Sequence, residues 1–281
     1  MRPLLVGFAA VILALAAAPA RAEEPPRRVV SFNLCADQLV VALADPAQIA
    51  GLSPYAADPM ISVVSEKAEA FPRIGWQAES IVPLKPDLVL MGYRDRAITR
   101  RMLDQLNQRV VELGFVTDIE GARKEVREVA ALLGHPERGE ALVAEIDAAR
   151  KRLAAAPHPD GATAILVERG GYTAGPMSLA AALIAEAGLK APEGAPPGFG
   201  GFVPLERLIT LRPDYLIFSN SLEEPTDQGA VYLTHPAMRL LYPKWKRIIL
   251  PTRYTLCGGP ALVEALDYFA GVMTRLSARK R

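Results

Sequence analysis

The chain has 281 residues, 51% of them hydrophobic, and carries 32 Lys and Arg against 31 Asp and Glu. That near-neutral balance, with no basic run before the last few residues, excludes an electrostatic binder of nucleic acid. Two cysteines without C-x-x-C spacing exclude a dithiol redox motif.

Residues 1–22 read as a secretory signal peptide. Arg2 precedes an apolar stretch from Leu4 to Ala18, Pro19 breaks it, and Ala20-Arg21-Ala22 forms an A-x-A cleavage pattern. The run is shorter than the ~20 residues of a membrane span, and no cysteine stands at the cleavage point for lipid attachment. Cleavage would remove Arg2 and Arg21, moving the formal charge from +1 to −1. The mature chain is expected to be soluble and exported, and it is long enough for two lobes.

Short apolar runs then alternate with helical stretches, which predicts α/β architecture. Strands are expected at 27–32, 48–53, 87–92 and 110–114, with helices at 36–45 and 100–109. In the second half, strands are expected at 163–168, 214–219 and 246–251, and helices at 178–189 and 260–277. "APEGAPPGFGGF" (191–202) reads as a Pro/Gly-rich surface loop near the binding face.

Two segments repeat at an offset of 127 without a gap: "ESIVPLKPDLVLM" from Glu79 and "ERLITLRPDYLIF" from Glu206. Glu79/Glu206, Leu84/Leu211, Pro86/Pro213 and Asp87/Asp214 are identical. Each copy reads as a short amphipathic helix stopped before proline, a Pro-Asp turn and a buried strand. Two copies imply two similarly built lobes, an N-terminal lobe at 23–134 and a C-terminal lobe at 158–281. Between them, 135–157 reads as one long helix with Leu142, Ile146, Ala149 and Leu153 on a single apolar stripe. A helix of ~20 residues spans ~30 Å, so the expected joint is a rigid strut.

The signal peptide, the first strand "RVVSFN", the two Glu…Pro-Asp segments and the connecting helix together resemble the periplasmic substrate-binding proteins of iron-chelate and cobalamin ABC importers. The resemblance covers essentially the whole mature chain. It implies two α/β lobes with central sheets, joined by a single long backbone helix, with a ligand cleft between them. It implies capture of a metal chelate, a corrinoid such as cobalamin or a ferric siderophore, and delivery to an ABC importer permease with its ATPase. It also implies a periplasmic, monomeric binding protein with no resident cofactor. The family's permease-docking glutamates match Glu79 and Glu206, one on each lobe. A glutamate in a first helical turn is favourable by itself, at ~0.3–1 kcal/mol, but that does not explain the same acid at equivalent places in both lobes.

The cleft positions of such a protein fall on the loops after the strands. Those loops hold Tyr55, Trp76, Tyr93, Arg94, Tyr172, Phe199, Phe202, Arg253 and Tyr254, together with Cys35 in "SFNLCADQ" and Cys257 in "YTLCGGPA". The aromatics suggest a wide, mainly apolar cleft suited to a large planar ligand. None of His135, His158 and His235 falls in a predicted cleft loop, which argues against a histidine-ligated haem or metal site. The two thiols are expected to face each other across the cleft. Three readings stay open for them: a disulfide in an oxidising compartment, thiolates binding a soft metal in the ligand, or small apolar fillers. The alternative of a different class is an exported cysteine-dependent enzyme using Cys35 at a helix N-terminus, for which no histidine is placed as a base.

Overall fold

The computed structural model describes residues 24–159, 161–219 and 228–278; the predicted signal peptide lies outside them. The first half carries β1 (Val29–Ser31), α1 (Leu34–Leu43), β2 (Ile49–Gly51), α2 (Ser65–Ala68), β3 (Leu88–Gly92), α3 (Ala97–Gln105), β4 (Val110–Leu113) and α4 (Ile119–Leu133). Its four strands form one parallel sheet in the order β2-β1-β3-β4. The long helix α5 (Pro136–Ala155) follows. The second half carries β5 (Ala164–Leu166), β6 (Tyr172–Ala174), α6 (Leu179–Glu186), β7 (Gly200–Phe202), α7 (Leu205–Leu211), β8 (Tyr215–Phe218), α8 (Gln228–Thr234), α9 (Pro236–Leu241), β9 (Arg247–Ile249) and α10 (Pro260–Ala278). There β5-β8-β9 form a parallel sheet, and β6 pairs with β7 antiparallel.

The strands are near-continuous apolar runs because helices cover both faces of each parallel sheet. Leu88, Val89, Leu90 and Met91 of β3 are all fully buried, as are Leu216 and Ile217 of β8. The repeat explains how each lobe starts. In both copies the residue before proline, Lys85 or Arg212, takes a left-handed conformation with φ 46° or 44°. The following aspartate then latches the first strand of its lobe. Asp87 accepts the backbone N–H groups of Arg27 and Arg28 (2.7 and 3.0 Å), and Asp214 accepts the N–H and hydroxyl of Thr163 (2.8 and 2.9 Å).

Two expectations are corrected. The N-terminal copy of the repeat is not a helix but two 3-10 turns, Ala78–Ser80 and Val82–Leu84. Pro83 lacks the N–H that an α-helix would donate to Glu79, whereas Thr210 at the equivalent place lets α7 run through. The segment 191–202 is not loop throughout, since Gly200–Phe202 pairs with Tyr172–Ala174. Only glycine fits at 200, where φ is +120° and a Cβ would lie 2.1 Å from the Thr173 carbonyl oxygen. The connecting helix α5 runs over Pro136–Ala155 as one unbroken element, as expected. Its stripe of Leu142, Ile146, Ala149 and Leu153 is buried between α4 and α10, in a core that runs unbroken from Leu88 and Leu90 of β3 to Leu166 of β5 and Ile217 of β8. Arg127–Glu140 ties α4 to α5, and Arg152–Asp267 ties α5 to α10, each through two hydrogen bonds of 2.7–3.0 Å.

Candidate ligand-binding site

The loops after β1, β3, β4 and β9 converge on one cavity of about 420 Å³ that both lobes line. The first is shaped by Asn33, whose Oδ1 accepts the N–H groups of Cys35 and Ala36 and so opens α1 directly after the strand. That cap sets Cys35 on the first turn, where its sulfur reaches Cys257 on the loop before α10. The two form a disulfide with Cα atoms 5.2 Å apart. Gly258 allows the approach, because a Cβ there would meet that of Ala122 at 2.9 Å. The bond removes the thiolate readings: neither sulfur is free to ligate a soft metal or to act as a nucleophile. Cys257 is 1% exposed.

Aromatic rings gather in three groups. Tyr55 and Trp76 lie 4.8 Å apart between centroids, with Phe32 edge-on beneath and the Arg96 guanidinium 3.8 Å from the Trp76 centroid. Tyr93 meets Phe115 at 6.0 Å on the rim of the cavity, with Arg94 over the Tyr93 ring. On the C-terminal lobe, Tyr172 meets Phe202 at 5.6 Å and donates its hydroxyl to the Phe199 carbonyl. Tyr55, Tyr93, Phe115, Phe199 and Phe202 are all large exposed hydrophobics. The turn holding Tyr93 is strained, since Arg94 and Arg96 both adopt left-handed φ (53° and 44°); such outliers concentrate at binding sites.

Tyr254 departs from the expected cleft lining. The 3-10 turn Thr252–Tyr254 directs it inward, leaving it 7% exposed beside Tyr268, and its hydroxyl accepts a bond from Arg253. The histidines are engaged elsewhere. His135 bonds Gln48, His158 bonds the Ala187 carbonyl, and His235 caps α9.

Sequence reasoning missed Asn33, Asp95, Phe115, Glu125 and Leu256 in the cavity lining. Phe115 obeys the same strand-then-loop rule as Tyr93, but α4, the helix that closes its loop, is absent from the predicted elements. Glu125 carries its own signal, an acid in the apolar stripe Ala122, Glu125, Val126, Val129. Burial, with Glu128 adding to it, pushes its carboxyl up to about 7. Asp37 is also pushed up to about 7 by burial, even though Ser53 donates its N–H and hydroxyl to it at 3.0 and 2.5 Å. That pair fixes the turn in which the Ser53 hydroxyl accepts the Tyr55 N–H.

Glu79 and Glu206 are exposed, one in each copy of the repeat, and among the described residues neither forms an ion pair.

A family model described as periplasmic binding protein matches residues 29–238. No curated protein matches. Among solved structures, a periplasmic heme binding protein from Pseudomonas aeruginosa is similar at 20% identity and TM-score 0.69, over 89% of this chain and 93% of the other. The vitamin B12 binding protein BtuF of Vibrio cholerae is similar at 15% identity and TM-score 0.68, over 90% and 98%. An ABC-type Fe3+-hydroxamate transport protein from Saccharomonospora viridis is similar at 19% identity and TM-score 0.64, over 88% and 93%.

Proposed function

This chain belongs to the periplasmic binding protein family, whose members are solute carriers and not enzymes, and from that premise we propose that it captures a corrinoid between its lobes for an ABC importer. The observation that carries the reading is the set of exposed rings on both lobes, Tyr55, Tyr93, Phe199 and Phe202, together with a cavity that both lobes line and to which Tyr93 and Phe115 contribute their rings. A large planar chelate with an apolar face is the ligand that such walls solvate best. The vitamin B12 binding neighbour supports the choice. The chelate is cargo, and no resident cofactor is proposed. A ferric hydroxamate siderophore is the nearest competitor, supported by the hydroxamate neighbour.

Haem is a further reading, favoured by the heme binding neighbour and by Tyr55 and Tyr93, exposed phenols able to ligate ferric iron. Titrating the mature protein with cyanocobalamin, hemin and a ferric hydroxamate separates these readings. Cyanocobalamin at 100 times its Kd is expected to add about 2.7 kcal/mol of stability; stabilisation by hemin or the hydroxamate alone overturns the corrinoid.

Delivery is proposed to use Glu79 and Glu206 as a two-point contact with cationic residues of a pseudo-symmetric permease. Both carboxylates are exposed, stand at equivalent positions of the repeat and lie outside the lining of the inter-lobe cavity.

A further inference from the structure

Glu125 stands in the buried stripe of α4 and is 8% exposed, yet among the described residues its carboxyl has no hydrogen-bond or ion-pair partner. It lines the inter-lobe cavity together with Asn33, Asp95 and the disulfide. A second recess of about 480 Å³ shares Glu125 and the Leu113–Val116 turn and adds Glu112, Glu128 and Lys124. The cavity itself is lined by two acids and no Lys or Arg, and the Leu256–Gly258 stretch from the C-terminal lobe adds no charge. Glu112 is already paired with Arg100 at 3.0 Å. A lone carboxyl among Leu113, Phe115, Val116 and a disulfide is costly to bury unless an incoming group donates a hydrogen bond to it. A second carboxylate in the same space would be repelled.

We infer that this cavity is a specificity pocket for a hydrogen-bond-donating, uncharged side arm of the ligand, of the primary-amide class, and that Glu125 rejects carboxylate arms. The inference rests on the proposed capture of a chelate and deepens it, because corrinoids carry primary amides at their rim whereas haem carries propionates. The discrimination depends on pH. Glu125, with its carboxyl near 7, is ionised at pH 8, where it accepts from an amide and repels a carboxylate. At pH 6 it holds a proton that it can donate to either. The titratable or charged groups facing it are Asp95 from the turn after β3, Glu112 from β4, and Lys124 and Glu128 on its own helix.

The test compares cyanocobalamin with its separated monocarboxylate derivatives, each with one propionamide hydrolysed, on the mature protein and on Glu125→Gln. At pH 8 the wild type is expected to bind cyanocobalamin about tenfold more tightly than at least one derivative. Glu125→Gln should erase that preference, and in the wild type it should shrink at pH 6. Equal affinity for all derivatives, or a preference that survives in the variant, overturns the inference. If Glu125→Gln does not fold, the pH series decides alone. If the wild type binds no corrinoid, the corrinoid reading falls and the pocket is judged separately with propionamide and propionate. Propionamide, and not propionate, should then shift the NMR signals of the Gly114, Phe115, Val116 and Gly258 amides at pH 8. No shift, or equal shifts from both, overturns the pocket.

Discussion

The two copies of the repeat share one frame and differ in what fills it. Both end in a left-handed residue before proline, and both use the next aspartate to hold the first strand of their lobe. The N-terminal copy crosses the intervening residues in two 3-10 turns and the C-terminal copy in an α-helix. One residue, Pro83 against Thr210, suffices to explain the difference. What both lobes keep is the placement of Glu79 and Glu206 and the latch, so selection for a two-fold contact would constrain the ends of the segment more than its middle. Replacing both glutamates by alanine gives the largest expected effect, loss of importer-stimulated ATP hydrolysis with ligand affinity unchanged. Unchanged stimulation would remove the docking role.

The lobes are also compared by asking whether they unfold apart. Cys35→Ser with Cys257→Ser opens a covalent loop of sequence separation 222, which is expected to cost about 3–5 kcal/mol. Because the core is continuous through α4, α5 and α10, calorimetry should still show one transition at a lower Tm. Two resolved transitions would mean that the disulfide, and not the core, couples the lobes.

Thr210→Pro tests the helix difference directly. It imposes the residue of the N-terminal copy on α7, removes one N–H from the helix interior and is expected to cost about 3 kcal/mol. Pro83→Thr should change stability by less than about 1 kcal/mol, since the 3-10 turns make no use of that N–H. Equal costs in urea melts would show that the surrounding lobe, rather than the proline, dictates the backbone.

Much of this comparison was legible in the sequence. The repeat, the parallel strands and the apolar stripe of α5 follow from spacing and composition, because buried strands must be apolar and proline must stop a helix. The cavity was half legible. Tyr93, Cys35 and Cys257 follow from the rule that ligands meet loops after strands, but the inward turn of Tyr254 depends on packing against Tyr268, more than ten residues away. The sharing of one core by both lobes was illegible too, since an apolar stripe does not say how many partners cover it. Glu125 could have been found from its helical spacing, whereas its lack of a partner is a property of three dimensions.

Asp37 and Glu125 are both buried acids pushed up to about 7, and they differ in partners. Asp37 is bonded by Ser53 and serves the fold. An acid whose folded pKa is raised binds its proton more tightly when folded. Its penalty is therefore absent below about 4, grows as pH rises toward 7, and stays constant above. Asp37→Asn keeps the Ser53 N–H bond through Oδ1 and lets Nδ2 donate to the Ser53 hydroxyl in place of accepting from it, without a charge to bury. It is expected to raise stability at pH 8 by about 1–2 kcal/mol and to leave stability at pH 4 unchanged. Chemical denaturation at both pH values measures this; equal changes at the two would show that ionisation of Asp37 is not what costs stability.

The smallest effect returns to the latch. Asp87→Ala and Asp214→Ala each remove a carboxylate that bridges two donors near the surface, where water can replace it, so each is expected to cost about 1 kcal/mol. The latches are not built alike. Asp87 holds two backbone N–H groups, whereas Asp214 holds one backbone N–H and the Thr163 hydroxyl, which in turn accepts the Asp214 N–H at 3.0 Å. Thr163→Val should therefore weaken the C-terminal latch by itself, and combining it with Asp214→Ala should cost less than the sum of the two. Hydrogen exchange at the first strands gives the local readout. Faster exchange confined to β1 in Asp87→Ala and to β5 in Asp214→Ala is expected. Loss of protection across both sheets in either variant would show instead that the latch acts on the shared core.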